Sequence, residues 1–100
     1  MAKITWTLRA LTDLEEIADY ISKDSFHYAS LTLSKLIETE INISDNPKIG
    51  RIVPEIKNEN IREVIKGSYR VIYEVRKENN IFILTVFHLS RALQEDDIKE

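Results

Sequence analysis

Cysteine is absent from the 100 residues, so the chain can form neither a disulfide nor a thiolate-ligated zinc site, and nothing in it demands an oxidising compartment. Histidine is scarce as well. His27 and His88 stand far apart without a nearby ligand pattern, so no metal centre and no cofactor is expected. Apolar runs approaching the roughly 20 residues of a membrane-spanning helix are missing, and the N-terminal MAKITWTLRA lacks the features of a cleaved leader. These absences point to a cytoplasmic protein without a membrane segment. Low-complexity stretches and internal repeats are missing too. What remains, 43% hydrophobic residues over this length, suits one globular domain spanning 1–100, able to bury about two-thirds of its unfolded surface.

The net charge of −3 conceals an asymmetry. Residues 1–47 carry four basic and eight acidic side chains, residues 48–91 carry nine basic and five acidic, and residues 92–100 carry one basic and four acidic. Positive charge is concentrated in the second half. Blocks of this size also arise on ordinary solvated surfaces, so charge alone does not assign a nucleic-acid partner.

The hydrophobic pattern changes period along the chain. KITWT at 3–7 alternates as a half-buried strand. Leu11, Leu14, Ile17, Ala18 and Ile21 then recur at three- and four-residue steps, predicting an amphipathic helix over about 8–23. Thr7 is its natural cap, with Thr12 and Glu15 offering a competing capping box one turn later. Asp24 and Ser25 can cap a second helix, which runs through Ala29, Leu33, Leu36, Ile37 and Ile41 to a stop at SDNP, 44–47. So short a connection predicts an antiparallel hairpin of helices. Residues 48–60 read as an ordered loop. Three strand patterns follow, at 61–66, 68–76 and 81–89, separated by the short turns Gly67-Ser68 and KENN at 77–80.

The expected class is therefore α+β: an N-terminal strand, a helical hairpin, then a three-stranded antiparallel meander, with the helices on one face of a curved sheet. In the last strand Ile81, Ile83 and Phe87 alternate with Phe82, Leu84 and Val86, so it should be central and covered on both sides. No element is assigned to the acidic tail RALQEDDIKE.

Strand alternation sorts the charges. In SYRVIYEVR, Tyr69, Val71, Tyr73 and Val75 share the face that should meet the helices, which sends Arg70, Ile72, Glu74 and Arg76 to the uncovered face. Arg62, Val64 and Lys66 share a side of the preceding strand, and the last strand delivers His88 and, just beyond it, Arg91. If these groups converge, the result is a basic concavity suited to phosphate or carboxylate, since a guanidinium donates two parallel hydrogen bonds. If they do not, Arg70 pairs with Glu74 or a cross-strand acid.

The stretches ITWTLRALTDLEEIADYI (4–21), NPKIGRIVPE (46–55), IREVIKGSYRVIYEV (61–75) and ILTVFHLSR (83–91) resemble the ParE/RelE superfamily of toxins from type II toxin-antitoxin modules, which includes plasmid stabilisation proteins. The resemblance covers nearly the whole chain. It implies a helical hairpin on a curved sheet and a cognate antitoxin that wraps and neutralises the toxin, with assembly through that complex.

Two activities occur in the superfamily. RelE-like members resemble ribosome-dependent mRNA endoribonucleases, whose chemistry needs a general base, a general acid and positive charge for the transition state. Arg70 and Arg91 match that pattern, and His88 is the one available proton carrier near neutrality. RelE-like members also carry a Lys-x-Lys pair on the strand before the YR strand and a C-terminal tyrosine or histidine; here Ile61, Arg62 and Glu63 stand where the lysines would, and the tail has no tyrosine or histidine. ParE-like members resemble inhibitors of DNA gyrase that need no chemistry of their own. The incomplete acid/base set favours that branch, in which Arg51, Arg62, Lys66, Arg70 and Arg91 are contact residues and the protein is not an enzyme. A ribosome-directed nuclease using Arg70, His88 and Arg91 is the alternative.

Overall fold

The computed structural model describes residues 2–98, so Met1 of the N-terminal segment and Lys99 and Glu100 of the acidic tail lie outside the described residues. Strand β1 (Lys3–Trp6) leads into helix α1 (Leu8–Ser22), which is followed by α2 (Phe26–Asp45), β2 (Arg51–Ile52), β3 (Ile61–Lys66), β4 (Tyr69–Val75) and β5 (Asn80–His88). The sheet order is β1-β5-β4-β3-β2. The meander β3-β4-β5 is antiparallel as expected, whereas β1 pairs parallel with β5, making the sheet mixed. A parallel neighbour requires a crossover, and the intervening helices and strands provide it.

Thr7 does cap α1: its hydroxyl accepts the Ala10 N–H at 3.1 Å, and the Thr12 alternative is not used. The same hydroxyl donates to the Leu84 carbonyl at 3.0 Å. There β1 has ended and the edge of β5 would otherwise lie bare. Asp13 completes that edge from the next turn of α1, accepting the Val86 N–H at 2.9 Å and the Thr85 hydroxyl at 2.5 Å. Ser25 caps α2 by accepting the Tyr28 N–H at 3.0 Å.

One core lies between the hairpin and the sheet, where Ala10, Leu14, Leu36 and Ile43 meet Val71, Tyr73, Ile81, Ile83 and Val86. Leu33 packs against it, but Leu11, also part of the apolar stripe, is half exposed. Tyr73 is fully buried with its hydroxyl satisfied, donating to the Pro47 carbonyl at 2.7 Å and accepting the Gly50 N–H at 2.9 Å. Gly50 is required by space: a Cβ there would sit 2.6 Å from the Glu63 carbonyl oxygen.

The other face of the sheet is not open. Val53, Ile61, Ile72, Leu84, Phe87 and Leu93 form a second core, with Ile56, Phe82 and Ile98 packed against it. The tail is part of this layer: residues Glu95–Ile98 form a 3-10 turn, and Leu93 and Asp97 are buried. The loop of 48–60 also contributes the short strand β2, which pairs with β3.

The expected division of β5 is corrected by a bulge. Ile72 stands opposite Thr85 and Tyr73 opposite Ile83, so Leu84 has no partner. One extra residue shifts the alternation by one. Ile81, Ile83 and Val86 therefore face the helices, while Phe82, Leu84 and Phe87 face away. Both sets are covered, as their apolar character requires.

Candidate functional site

Arg70 faces away from the helices, as alternation demands, and is 6% exposed. Its position follows from register. Ile65 of β3 lies opposite it, placing Glu63 on the diagonal, and Phe87 of β5 lies opposite on the other side. The Arg70 Nε donates to Glu63 at 2.5 Å. Its two terminal nitrogens donate to the two oxygens of Glu55 at 2.8 and 2.9 Å, in the fork geometry that makes guanidinium–carboxylate pairs strong. The guanidinium carbon lies 5.2 Å from the centre of the Phe87 ring.

Glu63, whose side chain is fully buried, is also bonded by Arg51 from β2. Two cations thus meet two carboxylates, and the cluster is balanced. Glu55 carries the connection outward, accepting the Leu93 N–H at 3.0 Å and so tying the tail to the VPE loop. The hydrogen bonds from Arg70 hold the Glu55 carboxyl down at about 2, against the opposing effect of burial and with the Leu93 N–H helping. The same bonds, from Glu55 first, push the Arg70 guanidinium further above its ordinary value.

Arg91 sits at the border of this cluster. Its guanidinium carbon is 5.1 Å from the centre of the Phe87 ring, and Asp97 bonds it. Asp97 also pairs with Arg9 of α1 at 2.7 Å and accepts the Gln94 N–H. The acidic tail thereby neutralises basic groups of its own chain.

The other candidates lie on the helical face. Arg62 and Lys66 stand directly opposite Tyr73 and Tyr69, so they share the side of the sheet that α1 and α2 cover. Arg62 donates to the Gly50 carbonyl at 2.9 Å. The bulge at Leu84 carries His88 to that side too, where it meets Tyr69 edge-on with ring centres 5.6 Å apart. The Ser90 N–H donates to His88 Nδ1 at 3.0 Å, which makes Nδ1 the acceptor and leaves Nε2 to carry the proton.

The basic concavity envisaged from the sequence is therefore corrected. Arg51, Arg70 and Arg91 gather on one face with Glu55, Glu63 and Asp97, while Arg62, Lys66 and His88 occupy the opposite one. His88 and Arg91 do line one cleft of about 480 Å³, together with Tyr20, Tyr69 and the acids Asp13 and Glu16, but Arg70 does not reach it. Of the partners foreseen for Arg70, the cross-strand acid is realised as Glu63, and Glu74 is not used: it bonds Arg76 at 2.7 Å. Glu55 and Asp97 were invisible as partners because both lie in aperiodic segments. The one signal for Glu55 was its place in the GRIVPE stretch.

The family model for the ParE toxin of type II toxin-antitoxin systems (parDE) matches residues 4–93. The chain belongs to the ParE toxin family. Consistent with this, the ParE-family chain is 34% identical over 86 residues to "Putative toxin Y4kP" of Sinorhizobium fredii (strain NBRC 101917 / NGR234), a stretch that is 86% of each chain. Among solved structures the fold is shared with the chromosomal ParDE system from P. aeruginosa, at a TM-score of 0.73 and 20% identity over 89% of this chain and 97% of that one. It is also shared with the RelBE2 toxin-antitoxin complex from Mycobacterium tuberculosis, at 0.62 and 22% over 87% and 96%. This ParE-family toxin is thus α+β in the manner of the ParE/RelE superfamily. Among the described residues no helix is long and apolar enough to cross a membrane.

Proposed function

We propose that this ParE-family toxin arrests growth by binding DNA gyrase in the cytoplasm, and that a cognate antitoxin neutralises it. The observation that carries the reading is the state of Arg70, the residue that a nuclease of this superfamily would turn on a scissile phosphate. Here its donors are committed to Glu55 and Glu63, and it is buried beneath the loop that supplies Glu55. A phosphate reaching it would displace Glu55 and still meet Glu63, whose place is fixed within β3. With the Glu55 side chain 30% exposed, breaking that pair costs about 1–3 kcal/mol, a factor of about 5 to 150 in affinity. His88, the proton carrier of the nuclease scheme, stands on the other face.

The antitoxin half of the proposal draws on the two solved relatives, both of them toxin-antitoxin systems. It also draws on apolar side chains that the hairpin leaves in solvent: Leu8 and Leu11 of α1, and Leu31, Ile37 and Ile41 of α2. Exposed apolar surface of this kind marks an interaction face. Purified toxin added to gyrase and relaxed plasmid should block supercoiling at stoichiometric amounts. Unimpaired supercoiling, together with message cut in the ribosomal A site, would remove the reading and favour a ribosome-directed nuclease.

A further inference from the structure

The two faces of the sheet treat their cations differently. On the Arg70 face every arginine discussed above is held by a carboxylate, and Arg9 of α1 is held by Asp97. Under the connected end of the helical hairpin, beside the α1–α2 turn, lies a concavity of about 300 Å³ where the opposite holds. It is lined by Tyr20 of α1, Tyr28 and Lys35 of α2, Lys66 and Tyr69 at the β3–β4 turn, and His88 at the end of β5. No acidic side chain lines it. Among the described residues, no ion pair engages Lys35 or Lys66, and no hydrogen bond engages the hydroxyls of the three tyrosines.

Burial first, and then the neighbouring hydroxyls of Tyr28 and Tyr20, push the Tyr69 hydroxyl up. Tyr20 and Tyr28 are nevertheless 72% and 61% exposed, so their rings present open surface at the mouth. At the rim, Gly67 adopts a φ of +60° with no heavy atom within 4 Å of where a Cβ would stand, so a ligand can approach the turn backbone closely.

We propose that this concavity binds a nucleoside phosphate, its base against the tyrosine rings and its phosphate against the ammonium groups of Lys35 and Lys66. The rings supply the flat apolar area on which any base can stack, and the two cations and adjoining hydroxyls supply the donors a phosphate needs. The volume lies at the lower end of ligand pockets, roughly 300–1,000 Å³, which suits one nucleotide rather than a duplex. The nucleotide can be free or can be the unpaired end of a strand. The site lies on the face opposite Arg70 and does not depend on the gyrase reading.

Nitrogen-15-labelled full chain titrated with AMP, inorganic phosphate, a 5′-phosphorylated single-stranded oligonucleotide and polyglutamate tests this directly. AMP and the oligonucleotide should move the amide signals of Lys35, Gly67, Ser68, Tyr69 and His88, with AMP binding at least about tenfold more tightly than inorganic phosphate. For the oligonucleotide, affinity should fall with salt at a log–log slope near about −1.4, as two cations on a single strand require. The K35E/K66E variant should lose binding, K48E should retain it, and Tyr20→Ala should erase the advantage of AMP over phosphate. Equal binding of AMP and oligonucleotide identifies a free-nucleotide site, and tighter binding of the oligonucleotide identifies a strand end. Either supports the proposal. It is overturned if these amides do not move, if they move only with polyglutamate, if phosphate binds as well as AMP, or if K35E/K66E binds like the unaltered chain.

Discussion

Arg70 lies buried on the far face of the sheet, its guanidinium held between Glu55 and Glu63. Alternation along β4 sends its side chain away from the helices, and it goes there. Its partners could not be read, because Glu55 arrives from a loop with no period and Glu63 becomes a neighbour only through the β3–β4 register. The energetic consequence is testable. Arg70→Met removes the fork that holds Glu55 and leaves the buried Glu63 with Arg51 alone, so urea denaturation should show a loss of about 3–5 kcal/mol. Glu55 adds a pH dependence. Its folded carboxyl titrates at about 2 against an ordinary 4.5, so its contribution is complete above about 4.5 and disappears as pH falls towards about 2. With the side chain 30% exposed, solvent screening limits that contribution to roughly 1–3 kcal/mol. Stability measured between pH 5 and 2 should fall more gently in Glu55→Gln than in the unaltered chain.

At the scale of elements, both helices, their caps at Thr7 and Ser25 and the β3-β4-β5 meander follow from periodicity and turn chemistry. The bulge at Leu84 does not, since inserting one residue leaves no mark in an apolar run that is buried on both sides. That single residue decides the site, because it turns His88 towards the tyrosines and away from Arg70. The tail was equally illegible: RALQEDDIKE is too acidic and too short to show an apolar period, yet Leu93 is a core residue of the far face. Leu93→Ala should therefore cost about 2–4 kcal/mol in urea denaturation, far more than the few tenths expected for a residue in an unstructured tail. The same logic explains β2, a two-residue strand that no periodicity could reveal.

For the molecule as a whole, the charge asymmetry along the sequence resolves into local balance. Arg51, Arg70, Arg76 and Arg91 of the basic second half meet acids at Glu55, Glu63, Glu74 and Asp97, whereas Lys66 of that half and Lys35 of α2 face one concavity that no acidic side chain lines. With the Arg70 face neutralised by its own carboxylates, the proposed antitoxin contact rests on the exposed apolar side chains of the hairpin. Ile37 and Ile41, one helical turn apart and 47% and 61% exposed, test this. Replacing both by glutamate should change stability by no more than about 0.5 kcal/mol per site, yet abolish co-purification with the cognate antitoxin. The central claim is that this toxin holds a target rather than cutting one. Its most direct test is the DNA product of a gyrase reaction containing stoichiometric toxin, run beside a translation reaction with the same preparation. The account predicts linear DNA from a trapped cleavage complex and intact message; unbroken DNA with message cut in the ribosomal A site would contradict it.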